Sequence, residues 1–313
     1  MARRRLILSP RPDITNAMST NLNTVPETEP DDTIQDCREQ IDTLDDEIIA
    51  LLKRRIGIVE KVGALKKAEG QKGLFIRSGR EGSMIARIFG AFKDSKFSPV
   101  AAATMWRQII GASVHVESKL KISVMHSPEL SGLLWLAREY FGAFVPVAQV
   151  SAANRVISDC VKEKANIGVL PYPGDTRIED DSALWWQQLM AQGNTSLKIF
   201  AYMPTIITPE FPRNMPHALA IGDLEPEESG NDESYFAFAL GDTVSTSRMH
   251  DLFAKSGINA NVIRSSNQPG ARHMLVKTDG FYTDLCPELE KVLAALGDAQ
   301  VVWLGSHPKP IQA

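Results

Sequence analysis

Residues 34–66, IQDCREQIDTLDDEIIALLKRRIGIVEKVGALK, constrain this chain more than any other stretch. Ile34, Cys37, Ile41, Leu44, Ile48, Leu51, Ile58, Val62 and Leu65 recur at alternating intervals of three and four. That spacing is one face of a long helix. No proline interrupts it, and its only glycines are Gly57 and Gly63. The same register contains one non-apolar position, Arg55. A guanidinium in an apolar seam is costly unless an anion or acceptor meets it. Lys66 lies eleven residues further on, about three turns or roughly 16 Å along the same face. Arg38 lies seventeen residues before Arg55, roughly 25 Å away on a different face. One helix therefore cannot bring all three cations to one small site. An antiparallel second copy crossing near Leu51 would carry its Arg38 to the Arg55/Lys66 end, which predicts a two-fold dimer with shared sites. The alternative is a coiled-coil seam that tolerates one arginine.

The chain has 313 residues, enough for two or three domains. A formal net charge of −4 gives no bulk-charge case for nucleic acid or a membrane surface. No apolar run approaches a membrane span. Cys37, Cys160 and Cys286 lack disulfide or metal-ligand spacing, so a reduced cytoplasm is expected and no metal site. Residues 1–30 are polar and rich in Pro, Thr and Asn, and are expected to be disordered. Their Arg run precedes an apolar stretch too short for a signal-peptide core, and Met18 is an alternative start.

A loop after the long helix leads to a second predicted helix, from about Ser78, its N-cap, to Lys93. Ser98-Pro99 opens a third, running to about Ser118. There Ile110, Ser113, Val114 and Glu117 share one face, so two polar residues stand where core residues belong.

This helix order, with CREQIDTLDDEIIALLKRR, GALKK and IRSGRE at these spacings, resembles the all-α chorismate mutases that open bifunctional mutase–prephenate dehydratase proteins. The resemblance covers residues 33–118. It implies an intertwined helical homodimer that rearranges chorismate to prephenate with no metal or organic cofactor. Such catalysis means holding a compact dianion and stabilising charge on the breaking ether oxygen. Arginine suits the carboxylates because its donors form a planar fork. By resemblance, Arg55 and Arg38 from the partner hold the carboxylates, and Lys66 serves a carboxylate and the ether oxygen. Arg80 orders the rim, Glu81 accepts from the ring hydroxyl, and Ser113 assists at a carboxylate. Glu117 stands where many relatives have a Gln that donates to the ether oxygen. A carboxyl donates only when protonated, so activity is expected to fall as pH rises. Arg77 is a second departure, since some relatives have Asp there.

Beyond residue 120 strands and helices alternate, which implies an α/β sheet. The opening through Phe141-Gly142 and the stretch Ala165–Pro171 resemble one lobe of a prephenate dehydratase, a fold of periplasmic-binding type. The second lobe is largely missing. The family's Thr-Arg-Phe is met only by Ser234-Tyr235-Phe236. Its Glu-Asn-Ser becomes Tyr172-Pro173-Gly174, and its Gly-rich loop becomes Met125-His126-Ser127-Pro128. A degenerate, inactive dehydratase is expected. Of the adjacent Trp185 and Trp186 on one predicted helix, one should be core and the other half-buried. His126 and His217 receive no function. The last part reads βαββαβ, the ferredoxin-like arrangement. It resembles an ACT domain in FAKSGIN and LGSHP. That implies an aromatic amino-acid effector, phenylalanine in dehydratases. The effector motifs are replaced by Gly241-Asp242-Thr243-Val244 and Arg264-Ser265-Ser266-Asn267, which leaves assembly as the alternative role.

The expected organisation is a disordered segment 1–30, a mutase domain 31–120, a dehydratase-like α/β domain 121–232 and an ACT-like module 233–313. The fold class is thus multidomain, all-α plus α/β. Two alternatives stay open: a chain with both mutase and dehydratase activity, and a non-catalytic helical dimer that senses an amino acid.

Overall fold

The computed structural model describes residues 33–70, 73–175, 178, 181–191, 196–212, 215–241, 244–268, 270–284 and 286–313. The segment 1–30, both candidate starts and residues 242–243 lie outside them. The chain divides into two units after Ile56, part-way along the first helix.

The first unit, as far as it is described, is the start of α1 (Ile34–Ala68). Thr33 and Asp36 cap it reciprocally: Asp36 Oδ2 accepts from the Thr33 amide at 2.9 Å, and Thr33 Oγ1 accepts from the Asp36 amide at 3.2 Å. Its apolar stripe is exposed. Ile34, Ile41, Leu44, Ile48 and Leu51 are each more than half exposed, at 75, 56, 57, 53 and 61 %.

The second unit begins with the end of α1, followed by α2 (Ser78–Ala91) and α3 (Pro99–Ser118). Ser98 caps α3, its hydroxyl accepting from the Ala101 amide. Ser78 is not the cap of α2. Arg77 occupies that position with no side-chain cap bond, and Ser78 is buried inside the first turn.

Among the described residues eleven strands follow: β1 (Ile122–Met125), β2 (Val147–Val150), β3 (Ile167–Pro171), β4 (Leu197–Met203), β5 (Ile206–Ile207), β6 (Ala218–Asp223), β7 (Asp232–Leu240), β8 (Ala260–Gln268), β9 (Ala271–Asp279), β10 (Gln300–Pro308) and β11 (Ile311–Gln312). The helices among them are α4 (Gly132–Phe141), α5 (Ala153–Val161), α6 (Trp186–Ala191), α7 (Thr246–Ser256) and α8 (Pro287–Leu296). Nine strands form one mixed sheet in the order β2-β1-β3-β6-β4-β10-β7-β9-β8. The parallel pairs β1/β2 and β1/β3 are the α/β part. The antiparallel run β10-β7-β9-β8 with α7 and α8 is the βαββαβ arrangement expected from the sequence.

The two parts share one sheet because alternation along β7 serves two cores. Phe236 and Phe238 pack with Met249, Phe253 and Leu289 of α7 and α8. Tyr235 and Ala237 point the other way, into the core that also holds Ile199, Phe200 and Ile221. The joint is β4 against β10, at Ile199 and Gly305. Gly305 has φ +127°, and a Cβ there would lie 2.2 Å from the Ile199 carbonyl oxygen. Arg264 ties the same parts together. It donates to the carbonyl oxygens of Pro173, Asp175 and Ile178 at 2.8, 3.0 and 3.2 Å. Trp185 and Trp186 are both fully buried, because Trp185 precedes α6 and so escapes the helical divergence of neighbouring side chains. Trp185 Nε1 donates to the Pro171 carbonyl at 2.9 Å.

Gly305→Ala is expected to destabilise the fold by more than about 2 kcal/mol, through both the backbone angle and the clash. Gly90→Ala, in a helix with open space around the new methyl, should stabilise by about 0.5–1 kcal/mol. Denaturant unfolding of the two variants compares them directly.

Candidate functional site

Arg38 and Arg55 both stand on the part of α1 that belongs to the first unit. Arg38 is exposed and Arg55 half-buried. The exposed apolar residues that flank them are those expected for the seam.

In the second unit the end of α1 meets α3. Lys66 Nζ lies 3.0 Å from Glu117 Oε2, with the two side chains 20 % and 11 % exposed. Gly63 permits the approach, since a Cβ there would sit 3.3 Å from Glu117 Cγ. The ammonium also lies 4.6 Å from the centroid of the Phe75 ring. A carboxylate and an aromatic face both attract an ammonium. Glu117 is therefore an acceptor here.

Ser113 is buried, and its hydroxyl donates back to the Ile109 carbonyl at 2.8 Å. Arg80 is exposed. Glu81 is buried, and its Oε2 accepts from Arg107 Nη2 at 2.8 Å. Arg77 Nε donates to Glu227 Oε1 at 2.8 Å, so this departure residue serves the segment before β7. Lys66, Phe75 and Arg77 line an open groove of about 530 Å³ together with Asp223, Glu225 and Glu227. Its three carboxylates disfavour a dianion. The structure thus joins Lys66 to Glu117, gives Glu81 an unforeseen partner, and leaves Arg80 at the surface.

Arg107 and Tyr140 were not anticipated. Arg107 is buried, donates to the Tyr140 carbonyl at 3.1 Å, and stacks 3.9 Å from the Tyr140 ring centroid. Burial works against its charge, but Tyr140 and Glu81 outweigh that and hold it above the usual arginine value. Burial in turn pushes the Tyr140 phenol up to about 12. A signal was available, because Arg107 shares the helical register of Ala103, Ile110 and Val114.

Of the residues of the dehydratase resemblance, Ser234, Tyr235 and Phe236 are packed as core. Ser234 Oγ bonds with Ser306 Oγ and the Gly280 carbonyl, both at 2.8 Å. The Tyr235 hydroxyl lies 3.0 Å from His307 Nε2 with both side chains fully buried. Burial raises the Tyr235 phenol well above its ordinary value. Among the described residues, no group of three or more His, Cys, Asp or Glu could hold a metal ion, and no helix is long and apolar enough to cross a membrane.

A three-helix module with an ion-paired lysine and glutamate between its first and third helices, attached to a mixed α/β sheet, is the class of protein described so far. Residues 37–118 match the family described as chorismate mutase type II, and the chain carries that domain there. The bifunctional chorismate mutase/prephenate dehydratase of Aquifex aeolicus is 25 % identical over 141 residues, 44 % of this chain and 38 % of that protein. The protein of the same name from Pseudomonas aeruginosa is 25 % identical over 148 residues, 46 % of this chain and 40 % of its own length. The chain thus spans about two fifths of the length of the curated relatives it matches. The solved prephenate dehydratase of Streptococcus mutans aligns with a TM-score of 0.46 at 17 % identity, over 60 % of this chain and 97 % of that one.

Removing the lysine from the Lys66–Glu117 pair strands a mostly buried carboxylate. Lys66→Met is expected to destabilise by about 1–3 kcal/mol, whereas Glu117→Gln, which keeps an acceptor, costs less. Urea unfolding of both variants at neutral pH measures the difference.

Proposed function

We propose that this chain is a chorismate mutase, converting chorismate to prephenate as a two-fold dimer. One observation carries the reading. The family match over 37–118 encloses, in order, Arg38, Arg55, Lys66, Arg80, Glu81, Ser113 and Glu117. The reaction is an intramolecular bond exchange, so the protein has to supply shape and charge rather than a nucleophile. In this reading Arg55 and an Arg38 supplied by the partner copy bind the two carboxylates. Lys66 turns from Glu117 to the substrate and donates to a carboxylate and the ether oxygen. Glu117, released, donates to the same oxygen in its protonated form. Glu81 accepts from the ring hydroxyl, Ser113 assists at a carboxylate and Arg80 orders the rim. The exposed stripe of α1 supports the dimer, since contiguous apolar surface of this length marks an interaction face.

The ferredoxin-like module, about 233–313, is proposed as an ACT-like unit for assembly, with an aromatic amino acid as the effector class if one binds. Assembly is favoured by Arg264, which stands in the altered effector motif and bonds the carbonyl oxygens of Pro173, Asp175 and Ile178 instead. A second reading, mutase plus dehydratase, draws on the relatives' names. The full burial of Tyr235 where relatives carry Arg weighs against it.

Purified protein is expected to consume chorismate and release prephenate, with no phenylpyruvate at neutral pH beyond an enzyme-free control. Arg55→Ala should lower kcat/KM by at least about 100-fold. Glu117→Gln, which supplies an amide donor toward the ether oxygen, should match or exceed wild-type activity. Leu51→Asp should shift the sedimentation profile from dimer toward monomer and abolish activity together.

A further inference from the structure

Arg107 is the most deeply buried guanidinium whose contacts the structure describes, at 4 % exposure, and three elements meet at it. It stands on α3. Its Nη2 reaches across to Glu81 on α2 at 2.8 Å, and its Nε reaches the Tyr140 carbonyl at the end of α4 at 3.1 Å. The last carbonyls of a helix lack intrahelical donors and carry partial negative charge. Arg107 satisfies one of them. Gln108 satisfies another, donating to the Glu139 carbonyl at 2.8 Å. The seat is tight: a Cβ at Gly111, one turn further along α3, would lie 2.3 Å from the Phe141 carbonyl oxygen. Neither α3 nor the end of α4 can shift without breaking these bonds.

A planar fork bonded at two edges and stacked on a ring has no rotational freedom left. Whatever it holds is held in one orientation. Here that is Glu81 Oε2, which leaves Oε1 to accept a second donor. We propose that Arg107 is a positioning residue for the rearrangement, fixing Glu81 so that its other oxygen meets the substrate's ring hydroxyl. Because the fork is anchored on α4, a strand–helix unit of the α/β sheet sets the geometry of a residue in the mutase helices. This rests on the chorismate mutase reading above. A hydroxyl bond present before and during the rearrangement contributes equally to ground and transition states. Its loss therefore appears in KM and not in kcat.

The test is steady-state kinetics on the full chain for wild type, Arg107→Met, Arg107→Lys, Glu81→Gln and the double variant R107M/E81Q. R107M and E81Q are each expected to raise KM on the order of tenfold, with kcat within about twofold. R107K, a point charge without the fork, should fall between R107M and wild type. The double variant should be no worse than the worse single, because one residue acts through the other. A role limited to stability would instead lower the folded fraction and the apparent kcat at constant KM. If R107M does not fold, R107K and the double variant carry the comparison, since the double leaves no charge buried alone. An unchanged KM in folded R107M or R107K overturns the proposal. So does a double variant whose loss is the product of the two singles. A wild-type chain that leaves chorismate intact removes the mutase reading and this proposal together, whereas active wild type with additive variants removes only the proposal.

Discussion

An exposed apolar face along α1 is the constraint on which the rest depends. Ile41, Leu44, Ile48 and Leu51 of α1 stand in solvent, and Ile58 and Leu65 in the same register are also more than half exposed, at 54 and 64 %. Leaving such a stripe in water forfeits about 25 cal/mol for every Å² of apolar surface that could be covered. Cations along or beside a seam of this kind make it more than a dimerisation surface. Arg55 falls within the heptad register, so a cation belongs to this face. The proposed second copy with a small dianion between would cover the stripe and use that cation.

The remainder of the chain braces the helices that follow. α3 is the joint. At one end it presents Glu117 to Lys66, and in its middle Arg107 and Gly111 seat it on the end of α4. α4 in turn contributes Leu133, Leu136 and Phe141 to the core of the nine-stranded sheet. That sheet continues through Gly305 into the ferredoxin-like module. Strand β7 carries Ser234 and Tyr235 as sealed core, and Arg264 on β8 is a tether to the Pro173 carbonyl.

Much of this was legible in the residues, for identifiable reasons. The long helix, the Pro-led third helix and the βαββαβ order all follow from local periodicity and caps, which depend only on near neighbours in sequence. What was missed depends on distant neighbours. Ser78 looked like a cap, but its turn is buried and the chain enters through Arg77. Trp185 and Trp186 looked divergent, but only one of them is in the helix. Glu81 could be placed by resemblance, yet nothing in its surroundings pointed to Arg107, twenty-six residues away. The merging of two modules into one sheet was hidden because β7 reads the same whether one of its faces is buried or both.

The central claim, that positive side chains from two copies complete each substrate site, is tested most directly by mixing inactive chains. Arg38→Ala and Arg55→Ala chains are each purified, combined, unfolded together and refolded, and chorismate turnover is measured. Random pairing puts half the protein in mixed dimers, each with one site that keeps both arginines. The account predicts recovery to about a quarter of wild-type turnover from two inactive parents. A mixture as inactive as its parents, under conditions in which refolded wild type regains full activity, would contradict it.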